Sequence, residues 1–187
     1  MIATDPAVVE ELTWWANCLG LTGSPFDSFQ ALRGLRTLSV RYRQHQQNAS
    51  AIVAMLAASD LVEKVYFPGL PDHPGHEIAA RQQQGFGAMI SFKLAASEDE
   101  IPVFLHALQL FTLAESLGGV ESLIAHPASM THAAMSAEDQ AAAGITSTLL
   151  RLSVGIEHVD DLLHDLQTAF TAVLQQRRAP TIAAIRR

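Results

Sequence analysis

The chain has 187 residues, of which 49% are hydrophobic and 17% charged, and its 12 basic and 19 acidic side chains give a net charge of −7. This composition is sufficient for a packed core and excludes a disordered chain. The acidic balance argues against a nucleic-acid binder, which needs a basic face, and the longest apolar run, residues 51–58, is shorter than the roughly 20 residues of a membrane helix.

The N-terminal segment and the cysteine content indicate the cellular compartment in which the protein is expected. Residues 1–6 carry neither the basic region nor the apolar core of a signal peptide. A single cysteine, Cys18, excludes a disulfide bond within the chain. Together these features predict a cytoplasmic protein without membrane or nucleic-acid partners.

The first sixty residues carry helical patterns only. Asp5-Pro6 is a typical helix start, because the missing N–H of proline costs nothing in the first turn, and a first helix is expected over residues 5–19. Ser24-Pro25 predicts a second start, and the apolar spacing over residues 26–58 suits one long amphipathic helix. Residues 1–60 are therefore expected to form a helical arm.

The pattern becomes mixed from about residue 61. Strand candidates are the β-rich segment 62–67, the alternating segments 88–94 and 149–154, and two short segments at 110–114 and 120–124. Helical segments are predicted between and after them at 77–84, 98–108, 136–142 and 157–175. The sequence thus predicts an α+β domain over 61–175, with about four strands and helices on one face, followed by a tail over 176–187.

Arg151 is the first candidate for a functional side chain. Alternation along its strand places Leu150 and Leu152 in the core and Arg151 on the opposite face, beside Ser153. A lone arginine in an apolar strand is costly unless it is paired. Two pairings are compatible with the pattern: an ion pair with a structural carboxylate, which the local sequence favours, and a bidentate contact with a substrate carboxylate.

The segment Glu115-Ser116-Leu117-Gly118-Gly119 is the second candidate. Two consecutive glycines permit either a tight turn or the close approach of the backbone to a ligand. The segment lacks the G-x-G-x-x-G spacing of a dinucleotide-binding loop.

Metal binding and nucleophilic catalysis are not predicted. Of the eight histidines, His73 and His76 come closest to a zinc motif, but Pro-Gly between them breaks the helix on which an H-E-x-x-H motif depends. Cys18 is interpreted as a small packed residue rather than a nucleophile. The chain contains no G-x-S-x-G motif.

The segments around Glu115 and Arg151, together with several others, resemble a known family. Residues 113–124 (L-A-E-S-L-G-G-V-E-S-L-I), 126–128 (H-P-A) and 130–133 (M-T-H-A) resemble the C-terminal signature of the Cys/Met-metabolism enzymes that depend on pyridoxal phosphate (PLP). Further matches follow the family's order at 24–28, 32–38, 66–70, 76–82 and 150–157. Within the family, residues 14–17 (W-W-A-N) and 85–89 (G-F-G-A-M) most resemble the bacterial cystathionine γ-synthase branch.

The resemblance implies a fold and an activity. It implies the end of the large domain, the long connecting helix and the α+β C-terminal domain of a fold type I PLP-dependent transferase. It also implies γ-replacement, in which O-succinylhomoserine loses succinate and cysteine adds to give cystathionine. Arg151 would hold the substrate α-carboxylate, Ser116 would line the same pocket, and Glu115 and Thr131 match further substrate-binding positions.

The resemblance also implies what this stretch of sequence lacks. The family's Schiff-base lysine lies in an S-x-T-K segment that precedes the matched residues, and neither Lys64 nor Lys93 has that context. We therefore expect PLP as the family's cofactor but no covalent attachment to this chain, and no catalysis without a large-domain partner or self-association. The alternatives are a non-catalytic protein that binds amino-acid carboxylates or an intact homologue, and a remnant without function.

Overall fold

The structure is a computed structural model that describes residues 3–21 and 23–178. It divides into two compact units, one up to Val40 and one from Arg41 onwards. The domain boundaries expected from the sequence, at 60/61 and 175/176, remain predictions.

The first unit is helical, and its helix ends are capped as the sequence predicts. Helix α1 spans Pro6–Leu19; the Asp5 side chain accepts a hydrogen bond from the Ala7 N–H, and Gly20 ends the helix in a left-handed conformation with φ of 65°. Helix α2 spans Pro25–Arg36, and the hydroxyl of Ser24 accepts the Asp27 N–H. These caps satisfy backbone groups that have no partner inside a helix.

The expectation of one continuous helix over 26–58 is wrong in one respect. Thr37 leaves the helical conformation with φ of −109° and ψ of 3°, so helix α3 begins anew at Leu38 and spans Leu38–Ala57. The hydroxyl of Thr37 lies 3.3 Å from the Gly34 carbonyl oxygen, to which it donates. Side chains of this type compete with the backbone ladder and weaken a helix locally.

The second unit has α+β architecture, as predicted. Its strands are β1 (Val62–Tyr66), β2 (Met89–Leu94), β3 (Thr112–Leu113), β4 (Leu123–Ala125) and β5 (Leu149–Ser153). Besides α3, its helices are α4 (His76–Gln82), α5 (Ile101–Ala107, after a 3₁₀ turn at Glu98–Glu100), α6 (Ala137–Ala142) and α7 (Val159–Arg178). In the part of the chain that the structure describes, the sheet has five strands in the order β1-β2-β5-β4-β3, against about four predicted, because the very short β3 and β4 both pair.

The two faces of the sheet differ as the alternation predicts. Ile90, Phe92, Leu150 and Leu152 are fully buried on one face, where α3, α5 and α7 complete a single core. All pairs are antiparallel except β3 with β4. On the other face Arg151 is flanked by its register partners on β2 and β4, and it is only half-buried. The predicted packing of helices on one face is confirmed.

Two buried carboxylates connect the helices to the rest of the unit. The Asp165 carboxylate on α7 accepts the backbone N–H groups of residues 109, 110 and 111 at 2.7, 2.9 and 3.0 Å. The carboxylate of Glu100 accepts two hydrogen bonds from Arg177, from Nε at 2.6 Å and from Nη2 at 3.0 Å. Arg177 lowers the pKa of Glu100 from 4.5 to about 2.

The C-terminal helix is longer than predicted. It continues through Arg178 instead of ending near residue 175, and the remainder of the predicted tail, 179–187, lies outside the described residues. Within residues 3–21 and 23–178, no helix is both long enough and apolar enough to cross a membrane.

Candidate functional site

Arg151 connects the two candidate segments of the sequence. Its Nη2 atom donates to the carbonyl oxygens of Glu115 at 3.0 Å and Ser116 at 3.3 Å. The strand that carries Arg151 is fixed by the fully buried Leu150 and Leu152 on either side of it. The structure therefore places the guanidinium group against the start of the glycine-containing loop.

The guanidinium group keeps unused donor capacity. Its Nε atom is buried and has no hydrogen-bond partner among the described residues, and Arg151 forms no ion pair within that part of the chain. The structural ion pair that the local pattern favoured is thus not observed. A buried donor without an acceptor costs about 1–3 kcal/mol, and a carboxylate is the acceptor that best matches the planar geometry of arginine.

The glycine-containing loop, residues 114–122, is held by the segment that follows Arg151, residues 153–157. The Gly118 N–H donates to the hydroxyl of Ser153 at 2.8 Å, and the Ile156 N–H donates to the carbonyl oxygen of Val120 at 2.9 Å. Gly118 has φ of 77°, which favours glycine. The motif around Glu115 and the motif around Arg151 are therefore hydrogen-bonded to each other in the folded chain.

Residues 153–157 approach the loop at residues 120–121 so closely that position 155 accommodates only a glycine. A Cβ atom on Gly155 would lie 2.5 Å from the carbonyl oxygen of Val120 and 2.6 Å from the carbonyl carbon of Glu121. Both atoms belong to the backbone, so the clash cannot be relieved by turning a side chain. Glycine here serves the approach of protein backbone rather than that of a ligand.

Helix α3 supports the same segment from the other side. The buried Asn48 donates from Nδ2 to the carbonyl oxygens of Gly155 at 3.0 Å and Glu157 at 2.9 Å. Nδ1 of His45, also buried, lies 2.7 Å from the carbonyl oxygen of Val154. These contacts supply hydrogen-bond partners to a backbone that has left the sheet.

The four predicted site residues do not all meet. Arg151, Glu115 and Ser116 are brought together through backbone carbonyls, and the side chains of Glu115 and Ser116 are exposed. Thr131 lies in the loop after β4, where its hydroxyl is 2.7 Å from Nδ1 of His132. The substrate-binding roles of all four remain predictions.

The cofactor requires a lysine, a phosphate-binding loop and a carboxylate for the pyridine nitrogen. Lys64 is paired with Asp72 at 3.0 Å, and Lys93 lies on β2 on the same face as Arg151, with Leu149 as its register partner on β5. Arg151 thus offers a donor with no acceptor among the described residues, whereas neither lysine has the S-x-T-K context of the family's Schiff-base lysine.

The histidines of the residues 73–77 segment have structural contacts. Nδ1 of His76 lies 2.8 Å from the Pro68 carbonyl oxygen, and its ring stacks on Phe86 with centroids 5.4 Å apart. Nδ1 of His73 accepts the Gly75 N–H at 3.1 Å. Among the described residues, no group of three or more histidine, cysteine or acidic side chains is arranged to hold a metal ion.

Sequence reasoning missed the residues that hold the loop, namely Ser122, Ser153, Glu157 and Asn48. Ser153 and Glu157 stand two and six positions after Arg151, within a segment already recognised as a motif. Polar residues embedded in a buried strand end are a signal of hydrogen bonding. Asn48 gave no such signal, because its partners lie more than one hundred residues away.

Comparison with known proteins gives a consistent result. The family model described as "Cys/Met metabolism PLP-dependent enzyme" matches residues 1–171. The chain is 60% identical to cystathionine gamma-synthase of Escherichia coli (strain K12) over 172 residues, which cover 92% of this chain and 45% of that protein. It is 53% identical to cystathionine gamma-lyase of Dictyostelium discoideum over 159 residues, covering 85% of this chain and 41% of that protein.

A solved structure agrees with the sequence comparisons. It is cystathionine gamma synthase from Xanthomonas oryzae pv. oryzae in complex with aminoacrylate and cysteine, which superposes with a TM-score of 0.85 at 60% identity and covers 93% of this chain and 45% of that one. The chain thus spans a little under half the length of the relatives it matches. The resemblance noted in its motifs is confirmed: the chain belongs to the Cys/Met-metabolism family of PLP-dependent enzymes.

Proposed function

We propose that the chain is the substrate-carboxylate-binding, C-terminal part of an enzyme of the cystathionine γ-synthase type, which replaces the succinyl group of O-succinylhomoserine with cysteine. The observation that carries this proposal is Arg151, whose buried Nε has no acceptor among the described residues. The names of the relatives, a synthase and a lyase of cystathionine, support the choice of a sulfur amino-acid substrate.

In this proposal each predicted residue has a defined task. Arg151 binds the α-carboxylate, and Glu115 and Ser116 hold the guanidinium group in place through their carbonyl oxygens. The Ser116 hydroxyl is assigned a further polar contact with the substrate, and Thr131, whose hydroxyl lies beside His132 in the loop after β4, is assigned a second one. PLP, when bound, supplies the electron sink for the reaction, and the lysine that carries it belongs to a large-domain segment that is not among the described residues.

The proposal requires a partner for the first unit. Helices α1 and α2 contain no buried residue, and Trp14, Trp15 and Phe26 are 58%, 47% and 69% exposed. Apolar surface of this kind marks an interaction site. We propose that it is covered by the large domain or by self-association, in a cytoplasmic complex that works in transsulfuration and methionine biosynthesis.

Fragment complementation tests the proposal. The chain is co-expressed with the part of E. coli cystathionine gamma-synthase that precedes the matched region, and succinate release from O-succinylhomoserine is measured with cysteine and PLP. We expect activity only with both parts present. Arg151→Ala should raise KM about 100-fold, since a hydrogen bond to a charged group contributes about 1.5–3 kcal/mol.

A matched control is Arg81→Ala, which removes an exposed arginine on α4. It should leave KM unchanged. Unchanged KM in Arg151→Ala would contradict the assignment of the carboxylate site.

The second candidate function is a non-catalytic protein that binds amino-acid carboxylates or an intact homologue. It is favoured by the two lysines, because Lys64 is paired with Asp72 and Lys93 lies on a strand outside the S-x-T-K context that carries the family's Schiff-base lysine. Carboxylate binding by the chain without any turnover in the complementation assay would select this candidate. A remnant without function would show neither carboxylate binding nor turnover.

A further inference from the structure

The loop that contacts Arg151 has little apolar anchorage. Leu117 and Val120 are 55% and 47% exposed, and Gly118 has no side chain. The position of the loop therefore depends on hydrogen bonds rather than on packing.

Glu157 makes the most extensive contact with the end of this loop. Its Oε1 accepts the Ser122 N–H at 2.6 Å, and its Oε2 accepts the Ser122 hydroxyl at 2.9 Å. Ser122 is fully buried. Both carboxylate oxygens thus bind one residue, an arrangement that fixes orientation as well as distance, and hydrogen bonds to an ionised group are about twice as strong as neutral ones.

The Ser122 hydroxyl connects Glu157 to the segment that follows Arg151. While it donates to Glu157, it accepts the Gly155 N–H at 2.8 Å. Gly155 follows Ser153 by two residues, and the Ser153 hydroxyl accepts the Gly118 N–H. A shift of Glu157 would therefore act directly on Ser122 at the end of the loop, and through residues 153–155 on Gly118 in its middle.

The carboxylate of Glu157 is engaged by Ser122 and not by Arg151. This carboxylate faces the two Ser122 donors, while Arg151 forms no ion pair among the described residues. Glu157 is the first acidic residue after Arg151 in the sequence. Because it binds Ser122, the guanidinium group remains available to an external carboxylate.

We infer that Glu157 is a positioning residue for the Arg151 site, acting through Ser122 and residues 114–122 to set the carbonyls that orient the guanidinium group. This inference rests on the proposed function of Arg151. It assigns the affinity for a substrate carboxylate partly to a residue that touches neither the substrate nor Arg151.

The test uses the full 187-residue chain, labelled with ¹⁵N, and O-succinyl-L-homoserine as the probe. Binding is measured by saturation-transfer NMR of the probe's own protons, with its α-methyl ester as the ligand control. Loop order is measured by hydrogen exchange of the Gly118 amide, relative to the core amides of Ile90 and Phe92. Glu157→Ala should speed Gly118 exchange at least about 10-fold and weaken binding about 5-fold to 10-fold, with core exchange unchanged.

Conservative variants separate positioning from general instability. Glu157→Gln keeps an acceptor for the Ser122 N–H, so its binding should be intermediate between that of the unmodified chain and that of Glu157→Ala. Ser122→Ala keeps one hydrogen bond to Glu157 and should also be intermediate. If Glu157→Ala does not fold, these two variants carry the test. The control Glu138→Ala, on the exposed face of α6, should bind as the unmodified chain does.

The failures of the two proposals are distinguishable. Probe binding that survives Arg151→Ala would refute the carboxylate site itself, whatever Gly118 does. Binding that is lost in Arg151→Ala but unchanged in Glu157→Ala, or unchanged in both Glu157→Gln and Ser122→Ala when Glu157→Ala is unfolded, would overturn the positioning role alone.

Discussion

Nη2 of Arg151 lies 3.0 Å from the carbonyl oxygen of Glu115, a residue 36 positions earlier in the chain. This contact links a strand arginine to the start of the glycine-containing loop, whose first residue, Ala114, also donates to the carbonyl oxygen of Ile124 on β4 at 2.9 Å. It also leaves Nε as the donor that has no acceptor among the described residues. The same relationship therefore orients the guanidinium group and preserves its capacity for a carboxylate.

Gly155→Ala should destabilise the chain. The added Cβ would meet backbone atoms of Val120 and Glu121 at 2.5 and 2.6 Å, and we expect a loss of about 1–3 kcal/mol in the free energy of unfolding, as for other overpacked sites. Urea denaturation followed by circular dichroism measures it. Gly75→Ala is the control, because its Cβ would meet only the His73 ring at 3.5 Å; equal stability of the two variants would contradict the close approach.

Asp165→Asn should also lower the stability of the chain. The amide would place an NH₂ group where a carboxylate oxygen now accepts backbone N–H groups of residues 109–111. Leaving buried donors unsatisfied costs about 1–3 kcal/mol each, so we expect a loss of about 2–4 kcal/mol. Chemical denaturation at neutral pH is the measurement. Asp161→Asn, at an exposed site of the same helix, should change stability by less than about 1 kcal/mol.

The pair formed by Glu100 and Arg177 should make stability depend on pH in the acid range. Hydrogen bonding to Arg177 lowers the pKa of Glu100 from 4.5 to about 2. The folded state therefore binds this proton less readily than the unfolded state, and the stabilisation is present above pH 4.5 and lost as the pH falls towards 2. Because Arg177 is partly exposed, we expect a contribution of only about 1–2 kcal/mol.

Denaturation of Glu100→Gln at pH 6 and at pH 2.5 measures this contribution. The variant should be less stable than the unmodified chain at the higher pH and nearly equal to it at the lower. Glu98→Gln, which is exposed on the same 3₁₀ turn, serves as the control. A stability difference that stays constant between the two pH values would refute the linkage.

Covalent attachment of the cofactor provides a further prediction. With Lys64 paired to Asp72 and Lys93 on a strand without the family's S-x-T-K context, equimolar PLP followed by borohydride reduction should yield no stoichiometric adduct in the intact mass. Full modification at one lysine, abolished by Lys93→Arg or Lys64→Arg, would instead show that this chain carries the cofactor by itself.

The sequence by itself determined the starts of α1 and α2, the strands with alternating side chains and the family. Local chemistry is enough for these features: Asp5 and Ser24 cap helices within three residues of themselves, and alternation along β5 assigns Leu150 and Leu152 to the core. The family followed from the motifs at 113–133 and 150–157, which stand in a fixed order along the chain.

Only the tertiary structure decided the pairing of Arg151. From local pattern an ion pair with a carboxylate was favoured, but the partners in the structure are backbone carbonyls of Glu115 and Ser116. A backbone carbonyl is present at every residue and leaves no trace in the sequence. The roles of Asn48 and Glu157 were hidden for a related reason, since hydrogen bonds across 109 and 35 positions form only once the sheet and α3 bring those residues together.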